Sequence, residues 1–458
     1  MTVMPEAGRA VRPEAATADR MTRGLIGTDG GMGSGGVPGP GGAADPRGTA
    51  GTGGAKRADG PGGRAEPGGA GGPRGLAGVR GGPPRPRIKP EHRAYRTVDG
   101  NVRIGSVIYG IGAEIADPDG WIWTLTEAMD GSRTADRIAA EVAARHPGLG
   151  SDTVRSAMAD LRQAGYVDDA AAPLPAGLAD RDEVRHGRGV ALLRWMDLSP
   201  RATAWSAQLR LRQARVLVLG VGGTGGAAAQ ILVASGVGAV HAVDPDVVEL
   251  SNLNRQLLYR EADIGRPKAE AAAAALRSLN SDVTVTGERR EVRGPDDLAD
   301  LLRAGPAPYD VLVLGADRPP DIRRWANRVC LALGTAWVEG GYRGPLVTAG
   351  VHVPGQGACW ECQRAAEIER RDLRLGPGQS EEAASPRMPW NPASAVTAEL
   401  SGTLVAHAVL ALITGVPRMQ PGFRYGVNLM SLGDPVLQRH PRRPDCPACG
   451  PQACGLRP

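Results

Sequence analysis

The chain has 458 residues, with 54 Lys and Arg against 49 Asp and Glu, a formal charge of +5, and only 3% aromatic residues among 41% hydrophobic ones. That length exceeds one ordinary core and implies two or three domains once low-complexity stretches are set aside. The basic residues are scattered and mixed with acids rather than gathered in a stripe with interleaved aromatics, so the excess reads as solvated surface and argues against a nucleic-acid partner.

From Met1 to Pro86 the sequence is Gly, Pro, Ala and Arg with almost no large apolar residue. Such a segment cannot bury enough surface to offset its ordering entropy and is expected to be a disordered tail. No apolar signal segment stands near Met1. The stretch TLVAHAVLALITG at 403–415 carries His407 and falls short of the ~20 residues that cross a bilayer. A buried helix is expected there, in a soluble, cytoplasmic chain with no membrane partner.

Residues 87–171 regain the composition of a folded domain. AYRTV at 94–98 and NVRIGSVIYG at 101–110 flank Asp99-Gly100, a type I′ hairpin signal. Helical patterns follow at 121–131, 134–146 and 151–165, with Thr134 as a cap, Ile138 and Val142 on one face, and Gly131, Pro147 and Gly165 as stops. Three strands, three helices, and an Asp-Gly preceding Thr-x-x-x-Ile-Ala make this small α+β, winged-helix-like domain similar to the PqqD-like peptide-recognition domains. The resemblance implies capture of a leader peptide as an added strand. A winged helix serving DNA, or structure alone, is the other reading.

A Pro/Ala-rich linker at 172–184 leads to a domain expected over 185–450. RVLVLG at 215–220 is a buried strand running into GVGGTG at 220–225 and a helix. Gly220 permits the turn, Gly222 and Gly223 let a phosphate approach the backbone, and Gly225 lets the helix pack close. About twenty residues on, Asp244 ends the strand AVHAVD, where a carboxylate can accept from ribose hydroxyls. Up to this point an NAD-dependent dehydrogenase fits equally well.

The segment DPDVVELSNLNRQLLYREADIGRPKAEAAAAALRSLN at 244–280 breaks the tie. Its Asp-x-Asp, Ser-Asn-x-x-Arg-Gln and Gly-x-x-Lys resemble the activating enzymes of ubiquitin-like and sulfur-carrier proteins, the ThiF and MoeB superfamily. The resemblance implies an α/β, Rossmann-like fold and an ATP-dependent adenylyltransferase. It implies Asp244 on the ribose, Asn252 and Gln256 shaping the triphosphate pocket, and Arg255 and Lys268 on the phosphates. Cations there suit the chemistry, because a carboxylate attacking the α-phosphorus builds negative charge on the α-phosphate and on departing pyrophosphate. Asp317, closing DVLVLGAD at 310–317, would position Mg2+. The family often has Asp-Asn where this chain has Asp317-Arg318; Asp321 is a poorer substitute. Family members also borrow an arginine from a partner subunit, which implies a homodimer and points to Arg185 or Arg188.

Cys359-Trp-Glu-Cys362 and Cys446-Pro-Ala-Cys449 are two CxxC pairs whose four thiolates suit a closed, structural Zn2+ site. Without a secretory signal a disulfide framework is not expected. Cys330 reads as a core residue, and Cys454 falls in the tail at 451–458. The segment 363–400 contains no cysteine, so adenylation without an enzyme thioester is expected. This segment is expected to cross over the active site, with Glu399 a helix residue of no catalytic importance.

Together the two halves resemble the peptide-modifying branch of the superfamily, including its microcin C7-type members: a precursor peptide is gripped by 87–171 and its carboxylate adenylated by 185–450. Activation of a small sulfur-carrier protein through a C-terminal Gly-Gly is the alternative. A non-catalytic scaffold that delivers peptide to another enzyme is a third reading.

Overall fold

The computed structural model describes residues 83–451 apart from positions 372, 385–387 and 389. The tail expected over 1–86 lies outside the described residues up to position 82, as does Cys454.

The small domain is zipped at its two ends by a ribbon that its three-residue strands hid in the sequence. β1 (Pro86–Ile88) pairs antiparallel with β5 (Val167–Asp169), and Arg87 donates to both oxygens of Asp168, at 3.2 and 3.1 Å. Between them β2 (Tyr95–Arg96), β3 (Val102–Ser106) and β4 (Ile111–Ile115) form the expected three-stranded antiparallel sheet. Its first turn differs from expectation. Gly100 N–H donates to Thr97 O and Thr97 N–H to Asn101 O, and Gly100 has φ +85° while Asp99 does not have positive φ. A type I′ turn needs positive φ at both central residues; here a three-residue loop with Gly100 as the left-handed bulge replaces it.

Helices α1 (Trp121–Ala128), α2 (Ala135–Arg145) and α3 (Ser151–Gln163) end within three residues of the expected bounds. Thr134 caps α2 by accepting from the Arg137 amide, and Ile138 and Val142 are buried. Helix α1 is held by Asp117, which accepts from the Ile122 and Trp123 amides at 2.9 Å each, satisfying two of its unpaired first-turn donors.

Helix α4 (Asp180–Met196) starts inside the expected linker and acts as a strut. At its C-terminal end Arg194 pairs with Asp168 and Glu91, and Trp195 donates to Ser106. Toward its N-terminal end Arg181 pairs with Asp282 of the larger domain.

The larger domain carries an eight-stranded sheet. β6 (Arg215–Leu219), β7 (Ala239–Val243), β8 (Thr284–Glu288), β9 (Val311–Leu314) and β10 (Ala336–Arg343) run parallel in the order β10-β9-β6-β7-β8. β11 (Leu346–His352), β12 (Phe423–Asn428) and β13 (Pro435–Arg439) extend it antiparallel beyond β10. Both faces of its centre are covered, as an apolar run such as VLVL requires. The period of two sends Val216, Val218 and Val313 to one core with α6 (Gly223–Ala234) and α11 (Ala395–Thr414), and Leu217, Leu219, Leu312 and Leu314 to the other with α8 (Pro295–Arg303) and α9 (Ile322–Leu333).

Helix α11 corrects the expected length of the apolar stretch at 403–415. It begins eight residues earlier and, with 20 residues, is long and apolar enough to cross a membrane by length and composition. Its place is the core: Gly402 lies so close to α6 that a Cβ would stand 2.7 Å from Thr224 O, and Ser401 and Thr224 hydroxyls meet at 2.9 Å. Cys330 is fully buried on α9, as expected of a core residue, and burial pushes its thiol pKa up.

Candidate active site and metal staple

The carboxyl ends of β6, β7 and β9 converge on the glycine loop. Strand β6 ends at Leu219, and Gly220 turns the chain with φ +85°, where a Cβ would stand 2.5 Å from Ala316 N. Helix α6 makes its first intrahelical bond from Gly226 to Gly222. The amides of Gly223, Thr224 and Gly225 precede it and sit at the positive end of the helix, where anions bind. Gly225 has no room for a side chain against Gly220 O.

Asp244 is buried, and its two oxygens accept from the Val221 and Asp246 amides at 2.8 and 2.9 Å. Burial raises its carboxyl pKa, and Lys268 opposes that shift. The expected ribose ligand therefore also pins the glycine loop. Lys268, the first residue of α7 (Lys268–Leu279), is buried and donates from Nζ to Asp246 Oδ2 at 2.9 Å.

The Ser-Asn-x-x-Arg-Gln segment wraps over the loop. Asn252 caps its own turn, accepting from the Glu249 amide at 3.1 Å. Gln256 is buried with Nε2 3.6 Å from the point a Gly222 Cβ would occupy, and its Oε1 has no partner among the described residues. A buried acceptor without a partner at the mouth of a phosphate cradle fits a nucleotide that brings a donor. Arg255 donates from Nη1 to Ser251 O and Asn254 Oδ1, at 2.8 and 3.0 Å. Asp317 is exposed just beyond β9. Of the two candidate trans arginines, Arg185 is tied to Leu279 O and Asp282, whereas Arg188 is exposed.

Two tyrosines escaped the sequence reading. Tyr259 donates to Val221 O at 2.7 Å from a buried position, and burial pushes its phenol pKa up. Tyr342, near the end of β10, has its hydroxyl 3.5 Å from where a Gly223 Cβ would stand. Glu399 differs from a plain helix residue: its Oε1 is buried without a partner among the described residues, and burial raises its pKa.

The four expected metal ligands are brought together. Cys359, Cys362, Cys446 and Cys449 offer sulfurs all within 4.8 Å of one another, with pairs at 3.8, 3.6 and 3.5 Å. Tetrahedral Zn–S bonds of about 2.3 Å place sulfurs about 3.8 Å apart, so the set fits zinc. The Arg443 amide and Asn327 Nδ2 donate toward Cys362 and Cys359 sulfurs, at 3.4 and 3.6 Å, as thiolates at a metal favour. Four cysteine ligands would leave a bound ion no open position, as in a structural site.

A parallel sheet with a glycine-rich turn, buried acidic and cationic residues around it, and a four-cysteine staple define a nucleotide-binding α/β enzyme. The ThiF family pattern matches residues 196–448, and the chain belongs to the ThiF family. Its relatives include the sulfur carrier protein adenylyltransferase of Thermus thermophilus, 33% identical over 269 residues that cover 55% of this chain and 91% of that protein. The adenylyltransferase and sulfurtransferase MOCS3 of Arabidopsis thaliana is 38% identical over 159 residues, and the match spans about a third of that protein, 33%, and 35% of this chain. Among solved structures, E. coli MccB with ATP superposes with a TM-score of 0.57 at 21% identity, covering 80% of this chain and 99% of that one. The microcin C7 biosynthetic enzyme MccB in complex with N-formylated MccA gives 0.60 at 21% identity, over 80% and 99%. At that identity the likeness establishes the fold.

Proposed function

We propose that this adenylyltransferase activates the carboxylate of a ribosomally made peptide as an acyl-adenylate, using ATP and Mg2+ and releasing pyrophosphate. The observation that carries the reading is the convergence of the open amides of α6, Arg255, Lys268 and the unpartnered Gln256 oxygen at one sheet end. The α6 amides receive a phosphate, Lys268 turns from Asp246 toward the β- and γ-phosphates, and Arg255 neutralises charge at the α-phosphate. Asp317 supplies the magnesium carboxylate. A homodimer in which Arg188 of one subunit reaches the other's site belongs to this reading.

The peptide is favoured as substrate because a small domain with exposed apolar residues precedes the sheet, Tyr95 on the short edge strand β2 being 44% exposed and Ile108 and Tyr109, in the turn between β3 and β4, 92% and 70%. A sheet edge flanked by apolar side chains suits an added peptide strand. A sulfur-carrier substrate is supported by the Thermus relative, a sulfur carrier protein adenylyltransferase.

The test is ATP–pyrophosphate exchange with precursor peptides and Gly-Gly carrier proteins supplied separately. Exchange that needs peptide supports the proposal, and exchange that needs the carrier selects the second reading. Arg255→Ala is expected to lower the rate about 100-fold or more; an undiminished rate would remove Arg255 from the site.

A further inference from the structure

At the amino ends of the parallel strands, opposite the glycine loop, we propose a second binding site that takes a small carboxylate with an apolar body. The inference stands apart from the adenylation reading above.

The walls come from three places. The last turn of α11, α5 (Ser206–Gln213) and the starts of β6, β9 and β10 enclose a cavity of about 550 Å³. Small-molecule sites span about 300 to 1,000 Å³. The floor is apolar: Ala214, Val311 and Ala411 are buried, and Leu412, Ile413 and Met419 are half-buried against the main core. The rim is polar, with Arg210, Gln213, Asp310, Gln356 and Arg418. Open α/β sheets take nucleotides at the carboxyl ends of their strands, so this cavity is separate from the glycine loop.

The rim selects the sign of the ligand. Near the end of α11, Thr414 O accepts from Arg201 Nη2 and Arg210 Nη1 at 3.3 and 3.1 Å, so the negative end of that helix is already neutralised. Only Nη1 of Arg210 is engaged among the described residues, which leaves its other N–H groups for a ligand. Arg418 is exposed and has no hydrogen bond or ion pair among the described residues. Asp310 is the acid on this rim, and its role is structural. Its Oδ2 accepts from the Arg215 amide at 2.8 Å and its own amide donates to Arg215 O at 2.9 Å, tying β9 to β6. Two guanidinium groups with open donors thus stand against one committed carboxylate. Guanidinium forks match carboxylates in two-pronged geometry, and the apolar floor covers a hydrocarbon body that water would otherwise surround. A free phosphate would leave that floor uncovered, and an apolar cation would meet the arginines.

The experiment is calorimetric titration of the full chain with octanoate, 1-octanol and octylamine near neutral pH. Octanoate is expected to bind at one saturable site about 10-fold or more tighter than octanol, with octylamine weaker than both. Arg418→Glu, at an exposed position, is expected to weaken octanoate about 10-fold or more, to leave octanol unchanged and to keep the wild-type Tm. Met419→Trp, which fills the floor, is expected to weaken octanoate and octanol alike; if it fails to fold, Arg418→Glu alone decides. Saturating ATP is expected to leave octanoate affinity within about twofold. Octanol binding as tightly as octanoate, octanoate undiminished by Arg418→Glu, displacement by ATP, or no saturable octanoate binding overturns the inference. So does a Met419→Trp variant that changes the sedimentation of the chain while octanoate gives no heat, which would make this face a contact between copies.

Discussion

Buried charge is matched by opposite charge at Glu339, but two buried histidines go unmatched. Burial alone would raise the Glu339 carboxyl, yet Arg424 and Arg323, each donating at 2.6 Å, pull it down to about 2. His352 lies next to it across the β10–β11 pairing, stacked on Trp337 with centroids 4.3 Å apart, and neither ring nitrogen has a partner among the described residues. Burial holds its pKa down to about 4, and His92 of the small domain is held there for the same reason. With an unfolded value near 6.5, each binds its proton in the unfolded chain first, so stability falls as pH drops from 6.5 toward 4 and is independent of these groups above that window. At pH 5 the loss is about 2 kcal/mol per histidine. Denaturant melts at pH 7.5 and 5 are expected to show it, and His352→Phe, which keeps the stack, to flatten part of the slope. A slope unchanged in that variant would mean that His352 is protonated in the fold. None of this was legible in the sequence: Glu339, His352 and Arg424 meet only because three strands are neighbours. Gly220, Asp244, Arg255 and Lys268 were legible because their spacing along one β-α-β passage is set by local geometry. Tyr342 was not, since β10 enters the sheet beside β9 and reaches the loop across it.

Among elements, those with a local signal were read correctly and those that depend on partners were not. Helices α1 to α3 declared themselves through period and stops, whereas β1 and β5 have three residues each and exist only by pairing with each other. The Asp99-Gly100 signal gave the right hairpin and the wrong turn, because the dipeptide does not say where the strands stop. The start of α11 was missed because Ser394, its cap, stands among polar residues that read as crossover; its hydroxyl accepts from the Thr397 amide. The cap of α1 makes an element-scale prediction. Asp117 is buried and serves two amides, so Asp117→Ala is expected to cost about 1 to 2 kcal/mol in stability, read by thermal melting, with Asp117→Asn retaining part of it. Equal losses in both variants would show that the charge rather than the cap matters.

For the whole molecule the four-cysteine cluster, which fits zinc, bears on how the sheet's antiparallel half closes. Cys359 and Cys362 stand at the start of α10 (Trp360–Arg370), and Cys446 and Cys449 follow β13, so a metal held by the four would tie two segments 87 residues apart. Burial pushes the Cys359 thiol up and Cys362 to about 11, a cost that a bound divalent ion would remove. Cys362→Ser is expected to lose the bound zinc, measured by metal analysis, and to lower the Tm by about 10 °C. A metal-free wild type with the same Tm would make the cluster a set of reduced thiols.

Helix α11 also sets a distance. Its first turn touches Gly223 through Ala398, while Thr414 at its other end accepts from Arg201 and Arg210. Arg201 pairs with Asp197, whose carbonyl receives Lys89 of the small domain. Twenty helical residues measure about 30 Å, so the point at which Lys89 of the small domain is moored lies a full helix length from the nucleotide loop. An extended chain covers about 3.3 Å per residue, so on the proposed peptide reading a substrate held near that mooring and activated by the same subunit would need a tether of about nine residues. The helix would then act as a gauge: on that reading, peptides trimmed below that length are expected to bind without reaching the chemistry.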